Sequence, residues 1–118
     1  MQARGLFAEV LATSQEAGYR QLEGVAERFL GESMAVENPT AAVEHLESAM
    51  RILQEVGARN EVAKVLVARA TLHRASGDEA GARVLLERAL ALFEALGTLD
   101  EPPRVRAALA ALQDNPPA

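Results

Sequence analysis

The side chains that could carry chemistry are few and far apart. His45 and His73 are the only histidines, and they fall on different segments of the chain. A zinc site takes three or four ligands, and no acids are spaced to converge on both rings. Each reads as a helix histidine, partly buried or on the surface, and no metal is expected. Glu44, Glu47, Glu55, Asp78 and Glu79 could supply a carboxylate pair for acid–base work, but solvated helix faces account for them. Ser14, Ser33, Ser48, Ser76 and Thr71 sit in no nucleophile elbow and beside no histidine in sequence. Gly77-Asp78-Glu79-Ala80-Gly81 reads as a turn between helices, because a phosphate loop would follow a strand and carry a lysine. The chain has no cysteine, which removes thiolate nucleophiles and cysteine-bound zinc. The residues predict no enzyme and no cofactor.

The information in this chain lies in the elements that position these side chains. The chain has 118 residues, of which 49% are hydrophobic and only 3% aromatic. One domain with a real core fits that length, and the core must be aliphatic. Net charge is −5, the wrong sign for a generic nucleic-acid or anionic-membrane binder. No apolar run approaches the roughly 20 residues that span a bilayer. The opening residues Met1-Gln2-Ala3-Arg4-Gly5-Leu6 lack the pattern of a signal peptide, so the cytoplasm is the expected compartment. Eleven of the 12 basic residues are Arg, Lys64 being the exception; no function is attached to that bias.

The sequence repeats itself. Gln15-Glu16-Ala17-Gly18 recurs as Gln54-Glu55-Val56-Gly57 and more loosely as Glu94-Ala95-Leu96-Gly97, with the glycines 39 and then 40 residues apart. Each glycine closes a helical stretch, where a C′ glycine can adopt the left-handed conformation. Asn38 and Asp78 stand 40 apart, as do Asn60 and Asp100. All four are expected N-caps, since their side-chain oxygens satisfy an orphan backbone N–H, and Pro39 follows Asn38 at the first helical position. With a shift of 40, Val25 aligns with Val65, Ala42 with Ala82, Leu46-Glu47 with Leu86-Glu87, and Ala49 with Ala89.

Between these marks, apolar residues recur at i, i+3, i+4 and i+7, the period of an amphipathic helix. Six helices are predicted, over 3–17, 21–35, 39–56, 61–75, 79–96 and 102–113. No stretch sustains a period of two, so no sheet is expected. Asp114-Asn115-Pro116-Pro117-Ala118 reads as a disordered tail.

These helix pairs resemble tetratricopeptide repeats in a longer variant of about 40 residues. The pattern of small, bulky and small residues in the second helix is met by Ala42, Leu46 and Ala49, and again by Ala82, Leu86 and Ala89. Ala70 and Ala110 meet the small position of the first helix. Small side chains there let two helices approach closely. Departures are the absence of Trp, with Ser33 and His73 at the aromatic position, and Gly57 and Gly97 in place of the usual proline. Leu30 stands at a small position with Gly31 beside it, which leaves the register of that helix open by one residue. HEAT-like pairs have a similar period, but the Ala-Leu-Ala second helices are more like the tetratricopeptide pattern.

The resemblance implies an all-α fold of antiparallel helix pairs stacked as a right-handed solenoid. It spans 1–113 as one domain, with an unpaired helix at 3–17, repeats at 20–57 and 60–97, and a closing helix at 102–113. It implies a protein- or peptide-binding scaffold, similar to sensor segments of larger bacterial signalling and regulatory proteins. Its concave face, lined by first helices, would carry Gly24, Glu27, Gly31 and Met34, then Lys64, Val67, Thr71 and Arg74, then Arg104, Ala107 and Ala111. Lys64, Arg74 and Arg104 would favour an acidic segment or a C-terminal carboxylate. The two-carboxylate clamp of chaperone-binding members needs Asn residues that are missing at these positions. The first predicted helix has no partner preceding it, leaving Leu6, Phe7, Val10 and Leu11 half covered. A preceding domain of a longer protein would cover them, or a second copy would, giving a homodimer. A self-associating adaptor and a small-molecule sensor are the alternative functions.

Overall fold

A computed structural model describes residues 2–113; the tail expected at 114–118 lies outside the described residues. Six helices follow in order: α1 (Gln2–Ala17), α2 (Arg20–Met34), α3 (Pro39–Glu55), α4 (Arg59–Ala75), α5 (Glu79–Leu96) and α6 (Glu101–Gln113). No strand occurs among the described residues. The fold is all-α, and α2 pairs with α3 and α4 with α5. Smaller contacts join α1 to α2, α3 to α4 and α5 to α6, and α2 also touches α4.

Four of the five turns close in one way. Gly18, Gly57, Gly77 and Gly97 take φ between 72° and 88°, the left-handed region where a side chain would clash. The next residue then donates back to the carbonyl five positions earlier: Tyr19 to Ser14, Ala58 to Leu53, Asp78 to His73 and Thr98 to Phe93, at 2.8 to 3.2 Å. That is the Schellman closure. Between α2 and α3 the turn has no glycine.

Two of the four expected caps form as the residue types require. Asn38 accepts from the Ala41 N–H at 3.2 Å and Asp78 from the Gly81 N–H at 2.9 Å. Asn60 does not cap. The closure at Gly57 returns the chain so tightly that α4 starts at Arg59, with Ala58 as its N-cap and no side-chain bond. Asn60 is therefore inside the first turn, and its Oδ1 is buried with no partner among the described residues. Asp100 stands immediately before α6.

The core is aliphatic, as the composition requires. One cluster joins Ala63, Leu66 and Ala70 of α4 to Leu85, Leu86, Ala89 and Phe93 of α5 and to Val105 and Leu112 of α6. A second joins Leu46, Ala49 and Leu53 of α3 to Val65 and Ala68 of α4, and Met50 packs against both. Leu46, Leu53 and Phe93 are at most 1% exposed, each worth about 1.5–3 kcal/mol of apolar burial.

The register of α2 differs from the shift of 40. A Cβ on Gly24 would come within 2.6 Å of the Leu53 side chain, and one on Gly31 within 2.7 Å of Leu46 and 3.1 Å of the Ala42 carbonyl oxygen. These two glycines are where α3 presses closest on α2. Their counterparts in the next pair are Ala63 and Ala70, both buried, at a shift of 39. Leu30 is then an ordinary buried leucine, and the small position belongs to Gly31. The spacing of 39 between Gly18 and Gly57 is the spacing that governs α2.

Candidate functional site

The register correction moves part of the expected interaction face. Gly24 and Gly31 are buried against α3 rather than open on a concave surface. Glu27 goes with them: it is 7% exposed, and its Oε2 is 3.2 Å from Nδ1 of His45 on α3. At a shift of 39 Glu27 corresponds to Leu66, and at 40 His45 corresponds to Leu85, both core residues of the next pair. A polar pair thus replaces a leucine pair. Burial removes the Glu27 carboxyl from water, and its hydrogen bond with the partly exposed His45 ring compensates.

The face that α2 does present carries Arg28 and Glu32. Together with Lys64 and Val67 of α4, Phe93 of α5, and Glu101, Arg104 and Val105 of α6, they line a groove of about 330 Å³. Lys64, Val67 and Arg104 of the sequence-predicted site are therefore brought together. Met34, Thr71 and Arg74 are outside this lining. Thr71 is exposed and returns its hydroxyl to the Val67 carbonyl at 3.2 Å; Arg74 is exposed and has no ion pair among the described residues.

The groove is held by charge. Arg28, with a side chain only 9% exposed, donates from Nη1 to both oxygens of Glu32 at 3.1 and 3.0 Å and from Nη2 to Glu61 at 3.4 Å. Lys64 donates to the other oxygen of Glu61 at 3.3 Å. Glu61 thereby ties α2 to α4. Such pairing is obligatory for a cation so removed from water, and the Arg28 guanidinium also lies 4.3 Å from the centre of the Phe29 ring. Arg104 is exposed and has no ion pair among the described residues. Arg28, Lys64 and Arg104 line the groove with Glu32 and Glu101, and Glu61, outside the lining, pairs with Arg28 and Lys64. The groove is balanced rather than basic, with Arg104 its uncommitted cation.

Arg28, Glu32, Glu61 and Glu101 were absent from the sequence-level site. The signal that finds the first two is the 39-residue glycine spacing, which sets Arg28 against Val67 and Glu32 against Thr71. No periodicity identifies Glu61 as a bridge, because its partners lie on another helix.

The N-terminal stripe is partly occupied. Phe7 stacks on Phe29 of α2, with ring centres 4.9 Å apart and planes 8° from parallel. Val10 and Leu11 are half-buried, whereas Leu6 remains 58% exposed. At the other end, Arg106 is exposed and forms an ion pair with Glu94. His45 and His73 are engaged separately, His73 with Asp78 Oδ2 at 2.8 Å. Among the described residues no group of three metal-ligating side chains converges, and no helix is long and apolar enough to cross a membrane.

Comparison with curated proteins and with solved structures found no match. A protein-family model for the tetratricopeptide repeat matches residues 33–95, which takes in α3, α4 and nearly all of α5. The repeat spacing, the helix pairing and that match agree: the chain belongs to the tetratricopeptide repeat family.

Proposed function

We propose that this chain is a protein-interaction scaffold that receives an extended peptide segment of a partner in the groove between α2, α4 and α6. Tetratricopeptide repeats generally mediate protein–protein contacts, which supports the class of function. The observation that carries the finer reading is the groove itself, where three successive first helices contribute one continuous lining. Arg28 and Lys64 are already neutralised by glutamates, so recognition of an acidic residue falls to Arg104, with Val67 as the apolar contact. The partner then needs one well-placed carboxylate rather than an acidic run. Within a longer regulatory protein in the cytoplasm, such a groove would act as the interaction or sensor segment. The alternative of a self-associating adaptor rests on Leu6, whose 58% exposure offers an apolar contact to a second copy.

The test is selection of peptides from a random displayed library, followed by affinity measurement against Arg104→Glu and Val67→Glu. Selected peptides should carry an acid and lose at least tenfold in affinity to each variant. Peptides that bind both variants as well as the parent chain, or failure to select any, would refute the groove reading. Light scattering on Leu6→Gln reads the alternative, which requires an oligomer that this substitution dissolves.

A further inference from the structure

A second cleft, of about 290 Å³, opens at the corner where α2 turns into α3 and α4 ends. Its walls are mainly apolar: Ala35 from the end of α2, Pro39 and Val43 from the start of α3, and Leu72 and Ala75 from α4; Ser76 at the edge donates its hydroxyl to the His73 carbonyl. Val43 is 42% exposed there, so an aliphatic surface is open to a ligand. Two basic side chains of α4, Arg69 and His73, border the same space. His73 is committed through Nδ1 to Asp78. Arg69 is not committed. Arg4, Arg28 and Lys64, buried or half-buried, each pair with a glutamate; Arg69, also half-buried, has no ion pair among the described residues, and neither has Arg83 of α5, which lies outside this cleft.

The repeat itself marks Arg69 as out of place. At the shifts that align the glycines, its counterparts are Leu30 in α2 and Leu109 in α6. Leu30 is 3% exposed, and Leu109 packs on the core. A guanidinium thus stands where both sister helices use leucine to join the core. No ion pair among the described residues accounts for a cation at this position. An anion bound between Arg69 and the apolar wall would.

We infer that this cleft is a binding site for a small aliphatic carboxylate, its chain against Val43, Leu72 and Pro39 and its carboxylate on Arg69. The volume lies at the small end of the range of about 300–1,000 Å³ typical of ligand pockets, which suits a short unbranched or singly branched acid. Charge complementarity sets the head group, and the absence of polar side chains along the Ala35–Val43 wall sets the tail. The site is separate from the groove of α2, α4 and α6 and shares no lining residue with it.

Hexanoate is the probe. Backbone amide spectra of the intact chain are followed during titration with hexanoate, hexylamine and hexanol, and repeated on Arg69→Gln and Val43→Phe, whose helicity is checked by circular dichroism. Hexanoate should saturate shifts at residues 35, 43, 69 and 72, and both variants should weaken it at least tenfold. Hexylamine and hexanol should bind at least tenfold more weakly than hexanoate. Arg104→Glu should leave hexanoate binding unchanged, which separates this site from the peptide groove. Equal binding of the amine, indifference to Arg69→Gln, or no saturable shifts would overturn the inference. So would a short peptide ending in leucine that occupies the cleft more tightly than hexanoate, because the site would then belong to a protein terminus.

Discussion

Replacing Glu27 and His45 by leucine, singly and together, tests whether the polar pair between α2 and α3 is a substitution for the leucine pair seen one repeat later. Glu27 is 7% exposed and its side chain meets His45 at 3.2 Å, while the His45 side chain keeps 27% exposure. His45→Leu strands the buried carboxylate, for which no other hydrogen bond is made among the described residues. Stranding a buried acceptor costs about 1–3 kcal/mol, and more for a charged group. Glu27→Leu leaves the half-exposed imidazole, which water can reach, so the cost should be under about 1 kcal/mol. The double substitution removes both polar groups and installs the side chains that Leu66 and Leu85 present in the second pair. Replacing a buried polar pair by apolar residues of similar volume is often neutral or stabilising by about 1–4 kcal/mol. Thermal unfolding followed by helix ellipticity should therefore rank the double variant at or above the parent and His45→Leu at the bottom. At about 4–8 °C per kcal/mol for a chain of roughly this size, the spread is easily resolved. A double variant whose loss equals the sum of the two singles would refute the idea that the pair acts as one unit.

Three further expectations concern the turns and the close helix approach. Gly31→Ala should destabilise by about 1–3 kcal/mol through overpacking, because its Cβ meets Leu46 at 2.7 Å; Gly5→Ala, with nothing within 4 Å, should stabilise by up to about 1 kcal/mol, and urea denaturation compares the two. Asn38→Ala should lower stability by about 0.5–2 kcal/mol through loss of the α3 cap, with amide hydrogen exchange fastest in the first turn of α3. The Asp78 carboxyl is held below its ordinary value of 3.8 by the Gly81 backbone N–H and then by His73, so the folded state binds this proton less readily than the unfolded one. Its stabilising contribution is full above that ordinary value and disappears as pH falls through the lower folded value. Acid unfolding of Asp78→Asn should show a shallower slope in that window than the parent, and an unchanged slope would contradict the assignment.

The limits of sequence reading are visible in particular residues. Helix ends were legible because their determinants are local: Gly18, Gly57 and Gly97 follow an apolar stretch and take φ above 70°, and Asn38 caps its own helix three residues on. Asn60 has the right type at the right repeat distance, yet the tight closure at Gly57 starts α4 two residues too early for it. Groove residues were half legible. Lys64, Val67 and Arg104 follow from the family pattern, whereas Arg28 and Glu32 depend on a one-residue difference in spacing that glycines, with no side chain to show a hydrophobic period, conceal.

Sequence by itself therefore determined the six helices, their stops, their pairing period and the aliphatic character of the core, since each depends on contacts within a few residues or on a period read along one chain. Tertiary structure alone decided which face of α2 meets α3. Rotating a helix by one residue changes its surface by about 100°, and the choice was made by Leu46 and Leu53 pressing into the space over Gly31 and Gly24. From that choice follow the burial of Glu27 on His45, the placement of Arg28 and Glu32 along the groove, and the bridge through Glu61. It also decided that Arg69 would stand beside an apolar cleft, because two helix ends and a turn remote in sequence build that wall.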